Sequence, residues 1–133
     1  MLVDRFGEPG FPISLEERKT GELWIDGKSV YIKTIKKNTN MQNVNITYSL
    51  SDLGIYNVDT LWIDESNSFV LYGNASNRYI GSQPIPFYLA PNDWKAVYVN
   101  VQMGNLNLRA GLPNSIAVYI DWYITLKYTK TTD

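Results

Sequence analysis

The sequence predicts an all-β fold, an antiparallel two-sheet β-sandwich of jelly-roll-like layout, with about eight or nine short strands and little helix. Three observations carry that prediction. Aromatic residues make up 14% of the 133, with ten Tyr and four Trp, and both types favour strands. Apolar and polar residues alternate with a period of two over several segments. Gly, Pro, Asn and Asp recur between those segments as turn residues do.

Residues 1–20 read as an irregular lead-in, because Gly7, Pro9, Gly10 and Pro12 interrupt it too often for a helix or a central strand. Within it Ser14 and Glu17 have capping-box spacing and predict one helical turn. Val3, Phe6, Phe11, Ile13 and Leu15 are apolar enough to dock, either on the domain itself or on a neighbouring subunit or upstream module. Residues 21–133 show no linker and no internal repeat and read as a single sandwich domain, of a size that builds a proper core.

The segment 22–35 opens that domain. Asp26-Gly27 predicts a two-residue hairpin loop that sets Ile25 opposite Lys28, Trp24 opposite Ser29 and Leu23 opposite Val30. Residues 36–41 read as a polar connection. The strand at 42–50 alternates, with Val44, Ile46, Tyr48 and Leu50 on its apolar face. After a loop at 51–57, strands at 58–63 and 68–72 flank the polar residues 64–67 and predict a second hairpin. Residues 73–90 are broken by Gly73, Gly81, Pro84 and Pro86 and hold only short strands. The strand at 94–103 turns Val97, Val99, Val101 and Met103 inward, and Gly104-Asn105 reverses it into 106–110. The longest alternation, 115–128, places Ile116, Val118, Ile120, Trp122, Ile124, Leu126 and Tyr128 on one face. That strand is the expected spine of the core.

The chain contains no Cys and no His, which removes disulfides, thiolate metal sites, the common zinc ligands and the commonest general base. Neither a metal nor a cofactor is expected. Twelve basic and thirteen acidic residues balance to −1, so no basic stripe calls for nucleic acid, and Lys33, Lys36 and Lys37 read as a solvated strand end. No apolar run of about 18 residues and no signal-peptide core is present, so no membrane insertion is expected. A Ser or Thr nucleophile lacks its usual His, and no Gly-rich phosphate loop occurs. The remaining catalytic arrangement is a carboxylate pair, Asp93 with Asp59 or Asp64, and the expectation is that the chain is not an enzyme.

Saccharide binding needs flat aromatic faces for sugar C–H groups and polar side chains for hydroxyls. Residues 72–94 supply such a set in Tyr72, Asn74, Asn77, Arg78, Tyr79, Asp93 and Trp94, with Gln83, Tyr88 and Asn92 beside them, and Trp62 approaches through the expected hairpin. The same residues equally read as ordinary strand and loop residues. Tyr98, Tyr119 and Tyr123 lie opposite the expected core faces and predict a subunit interface or, alternatively, a second buried face.

Both ends carry a family likeness. The stretch TGELWIDGKSVYIKTI, residues 20–35, resembles the segment that opens the C-terminal module of tail proteins of phages infecting Gram-positive bacteria, Gly-x-Trp-x-Asp-Gly-Lys-x-(Ile/Val)-Tyr-x-Lys-Thr-(Ile/Leu). It is met by Gly21, Trp24, Asp26, Gly27, Lys28, Val30, Tyr31, Lys33, Thr34 and Ile35, with two residues rather than one between Gly21 and Trp24. The ending ITLKYTKTTD, residues 124–133, is similar to that module's closing strand and tail. The resemblance implies a β-rich head or tip module of a tail fibre, baseplate or receptor-binding protein, located in the virion after synthesis in the bacterial cytoplasm. It implies a homotrimer, contacts with other tail or baseplate proteins, and recognition of a host cell-wall or surface polysaccharide. The alternative is a structural tail or baseplate component that trimerises or attaches without touching glycan. No binding residue is carried by the matching motifs, whose residues read as scaffold. With Met1 so close to the first motif, the chain reads as a cut-out domain or a small standalone tail protein.

Overall fold

The computed structural model describes residues 13–40, 44–73, 81–84, 87–90, 95–111 and 119–132. Ten strands fall among them: β1 (Arg18–Leu23), β2 (Ser29–Asn40), β3 (Val44–Ser49), β4 (Val58–Ile63), β5 (Phe69–Gly73), β6 (Gly81–Pro84), β7 (Phe87–Ala90), β8 (Lys95–Gln102), β9 (Asn105–Gly111) and β10 (Tyr119–Lys130). Every pairing between them is antiparallel. One sheet runs β1-β2-β10-β5-β6 with β4 also on β10, and the other runs β3-β9-β8-β7. This is the expected all-β two-sheet sandwich.

The spine is β10, as its alternation predicts. It pairs with β2 in unbroken register from Tyr119↔Asn40 to Tyr128↔Tyr31. Ile120, Trp122, Ile124, Leu126 and Tyr128 turn one face inward and are fully buried. Val44, Val97, Leu106, Leu108 and Ala110 of the other sheet meet them in a single apolar cluster. Burying one such large side chain contributes about 1.5–3 kcal/mol, so this shared layer holds the sheets together. The Trp122 indole N–H donates to Thr39 Oγ1 at 2.8 Å, so the largest core residue buries no unpaired donor.

The structure corrects several local expectations. The first hairpin has a three-residue loop: the Gly27 N–H donates to Trp24 O at 2.9 Å and the Trp24 N–H to Lys28 O at 2.8 Å. Leu23 therefore opposes Ser29, one position away from the two-residue register. Of Asp26 and Gly27 only Gly27 has positive φ, +86°, whereas a type I′ loop needs both; a type I turn followed by a left-handed Gly forms instead. Residues 36–40 are strand, because β10 continues to pair with them. The turn between β8 and β9 is Met103-Gly104, both at positive φ, so Met103 is 92% exposed at the tip instead of inward. Alternation shows which face a residue takes within a strand but not where the strand stops.

The larger correction concerns 58–73. β4 and β5 do not pair with each other. They lie end to end along one side of β10, β4 beside its C-terminal half and β5 beside its N-terminal half. A 3-10 turn at Glu65–Asn67 bulges out between them. A 12-residue strand offers more edge than either short strand covers, so both dock on it in succession.

Residues 13–17 form a strap and not the expected helical turn. The Thr34 N–H donates to Ser14 O at 2.5 Å, and the Ser14 N–H donates to Thr34 Oγ1 at 3.2 Å. Ser14 Oγ donates to Glu16 O, whereas a capping box needs that oxygen to accept from the Glu17 N–H. Ile13 and Leu15 stay exposed, while Val3, Phe6 and Phe11 lie outside the described residues.

Candidate functional site: an aromatic groove on the outer face of the larger sheet

Alternation along β10 gives its sheet an outward face carrying Lys127, Thr125, Tyr123 and Tyr119. Lys127 sits in register with Ile32 of β2 and Trp62 of β4. The hairpin fold of β1 and β2 brings Trp24 to the same face, where its ring stacks on Trp62 with centroids 4.3 Å apart and planes 25° from parallel. Val30, which lines the groove, and Ile32, in register with Lys127, are both buried. Glu22, Leu23, Trp24, Val30, Trp62 and Lys127 line an open groove of about 260 Å³.

Two irregularities shape it. Between Lys19↔Tyr31 and Leu23↔Ser29, three residues of β1 stand opposite one of β2. Gly21, at φ +88°, takes up that excess in a conformation costly for a residue with a Cβ. Thr20 Oγ1 donates to Val30 O and accepts from the Glu22 N–H, fixing the bulge that presents Glu22. On the other side, Asp64 N–H donates to Thr125 O as β4 ends, turning the Asp64 carboxylate toward Lys127.

The polar groups form one loose triad and one tight pair. Lys127 Nζ lies 3.3 Å from Glu22 Oε1 and 3.7 Å from Asp64 Oδ2. Lys28 Nζ is 2.6 Å from Asp59 Oδ2. Lys127 has three donor hydrogens, and the 3.7 Å approach is an ion pair without a hydrogen bond. A hydroxyl can therefore accept from Lys127 and donate to the 61% exposed Glu22 while its ring lies against indole.

Of the residues expected to bind saccharide, Trp62 lies in this groove. Tyr72 does not: it opposes Ile120 of β10 and packs inward against the core. Trp62 and Tyr72 are thus on opposite faces of the sheet and, seven β10 positions apart, roughly 23 Å apart along it. The expected convergence assumed a hairpin that does not form. Asn74, Asn77, Arg78, Tyr79, Asn92, Asp93 and Trp94 lie outside the described residues, as do the side chains of Gln83 and Tyr88. The expected carboxylate partners of Asp93 have other company, Asp59 with Lys28 and Asp64 with Lys127 and Asn67.

The expected interface tyrosines also divide. Tyr98, opposite Arg109, lies on the outer face of the smaller sheet and is 41% exposed. Tyr119 and Tyr123 are half-buried on the outer face of the larger sheet, where Tyr123 stacks on Phe69 with centroids 4.9 Å apart and Lys36 Nζ lies 5.5 Å from its ring centre. One flat contact on this chain cannot use all three. They lie on opposite sides of the sandwich.

A second titratable cluster anchors the strap. Glu17 accepts from Lys130 Nζ at 2.7 Å and, through its other oxygen, from the Tyr128 hydroxyl. Burial works against ionisation of Glu17, but the hydrogen bonds from Lys130 and Tyr128 outweigh it and hold its carboxyl below the ordinary value. Burial first, and then the hydrogen bond to Glu17, push the Tyr128 hydroxyl up. Tyr128 therefore stays a neutral donor, which suits a clamp.

Sequence reading missed Glu22, Trp24 and Lys127 as site residues. Trp24 reads as scaffold packing, and Lys127 lies opposite the apolar face of its strand; their meeting depends on β10 lying between β2 and β4, which no local pattern reveals. Comparison with protein-family models, with curated proteins and with solved structures finds no match.

Proposed function

We propose that this chain is a non-enzymatic tail module of a phage infecting Gram-positive bacteria, which binds host cell-wall or surface polysaccharide as a homotrimer within the virion. The observation that carries the saccharide reading is the Trp24–Trp62 stack walling a groove in which Lys127 and Glu22 offer a donor and an acceptor. The resemblance at residues 20–35 and 124–133 supplies the tail context. The two stretches are neighbours in space: β2 and β10 pair along their length, so together with β1 they form one three-stranded unit. Three low-affinity sites on one particle tip gain by avidity without new contacts.

The test is sedimentation of the protein with purified Gram-positive cell walls, alongside native mass measurement. Wild type should bind and run as a trimer, and Trp62→Ala should weaken wall binding about tenfold, an aromatic platform being worth roughly 1 kcal/mol or more. Binding unaffected by both Trp62→Ala and Trp24→Ala would remove the groove from the reading. No wall binding by wild type would favour a structural tail or baseplate component, for which the outward Tyr123–Phe69 stack is a candidate contact.

A further inference from the structure

We infer that the Trp24–Trp62 groove takes uncharged pyranose units and rejects saccharides carrying a carboxylate or phosphate. This selectivity rests on the carbohydrate-binding reading of the same groove and follows from its charges. Lys127 is the only cation among the described residues that line the groove, and it is already shared by two carboxylates, Glu22 Oε1 at 3.3 Å and Asp64 Oδ2 at 3.7 Å. Lys28, whose backbone pairs with Trp24 across the hairpin loop, is held by Asp59 at 2.6 Å. An acidic ligand group approaching Lys127 therefore meets a local surplus of negative charge. Charges a few ångström apart near a protein surface interact strongly enough to matter at this distance.

Hydroxyl groups face no such penalty. A vicinal diol presents an acceptor to Lys127 and a donor to Glu22, and it can enter between them because neither contact of the triad is tight. The indole faces add attraction for the C–H face of a pyranose without selecting charge. Like-charge opposition rather than a new attraction then supplies the discrimination.

The test uses neutral glucan, galactan and mannan chains, each paired with its counterpart oxidised at C6 to the carboxylate, with binding to the full chain measured at low salt. At least one neutral chain should bind about tenfold or more tightly than its oxidised form. Raising the ionic strength should narrow that ratio, since the opposition is screened. Glu22→Gln, at a side chain that is 61% exposed and so tolerant of exchange, should narrow it as well. An oxidised chain that binds as tightly as its neutral parent overturns the inference. Failure of every neutral chain overturns it too, while cell-wall binding lost in Trp62→Ala would leave the saccharide reading standing.

Discussion

Thr125→Val is the sharpest probe of how the larger sheet holds its interrupted edge. Thr125 is fully buried at the point of β10 where β4 gives way to β5. Its hydroxyl lies 2.6 Å from Asn67 O and 2.9 Å from Thr34 Oγ1, which in turn accepts from the Ser14 N–H. Each hydroxyl has one hydrogen, so the chain has one consistent direction: Ser14 N–H to Thr34, Thr34 to Thr125, Thr125 to the Asn67 carbonyl. A parallel chain runs from the Thr125 N–H to Ser68 Oγ and on to Asp64 O. Valine keeps the shape of threonine but removes the middle link of the first chain. The Asn67 carbonyl then loses this donor and Thr34 loses its acceptor, each at about 1–3 kcal/mol when buried. We expect a loss of about 2–3 kcal/mol, read as a lower urea midpoint at unchanged slope, and a fall in Tm of roughly 6–12 °C for a chain of this size. Thr34→Val/Thr125→Val should cost at least about 0.5 kcal/mol less than the sum of the single changes, because the shared bond is lost only once. A single variant within about 0.5 kcal/mol of wild type, or a strictly additive double variant, would refute the relay.

Other parts of the fold give three more expected outcomes. Glu17 has a lowered pKa in the folded state, so below its ordinary value of 4.5 the unfolded chain binds more protons and stability falls as pH drops toward the folded value. Glu17→Gln should flatten that acid limb in pH-dependent denaturation, and an unchanged limb would remove Glu17 as its source. Tyr128, raised above its ordinary 10.0, gives the opposite sign: stability should fall as pH rises past about 10, and Tyr128→Phe should flatten that alkaline limb. Met103 sits at φ +53° and 92% exposed in a turn whose geometry Asn accepts readily. Met103→Asn should raise stability by about 0.5–1 kcal/mol in thermal melts, and a drop would mean that the Met side chain makes a contact needed for folding.

Local pattern is enough to set the class of fold and, within each strand, which side faces inward. The alternation of β10 assigned Ile120, Trp122, Ile124, Leu126 and Tyr128 to the core, and all five are fully buried. That of β9 did the same for Leu106, Leu108 and Ala110. Such assignments are local, since consecutive strand residues must point to opposite faces. What lies across from a strand is not local. Long-range pairing makes residues 58–63 and 69–73 share β10 end to end instead of pairing with each other. That arrangement sets Tyr72 into the core, leaves Trp62 on the outer face, and stacks Trp62 on a tryptophan 38 residues earlier in the chain. The candidate groove follows from it. Its residues lie on four strands and the β1–β2 loop, whose meeting is fixed by ladder partners and by the bulge at Gly21, and both depend on how the whole sheet pairs rather than on the residues nearby.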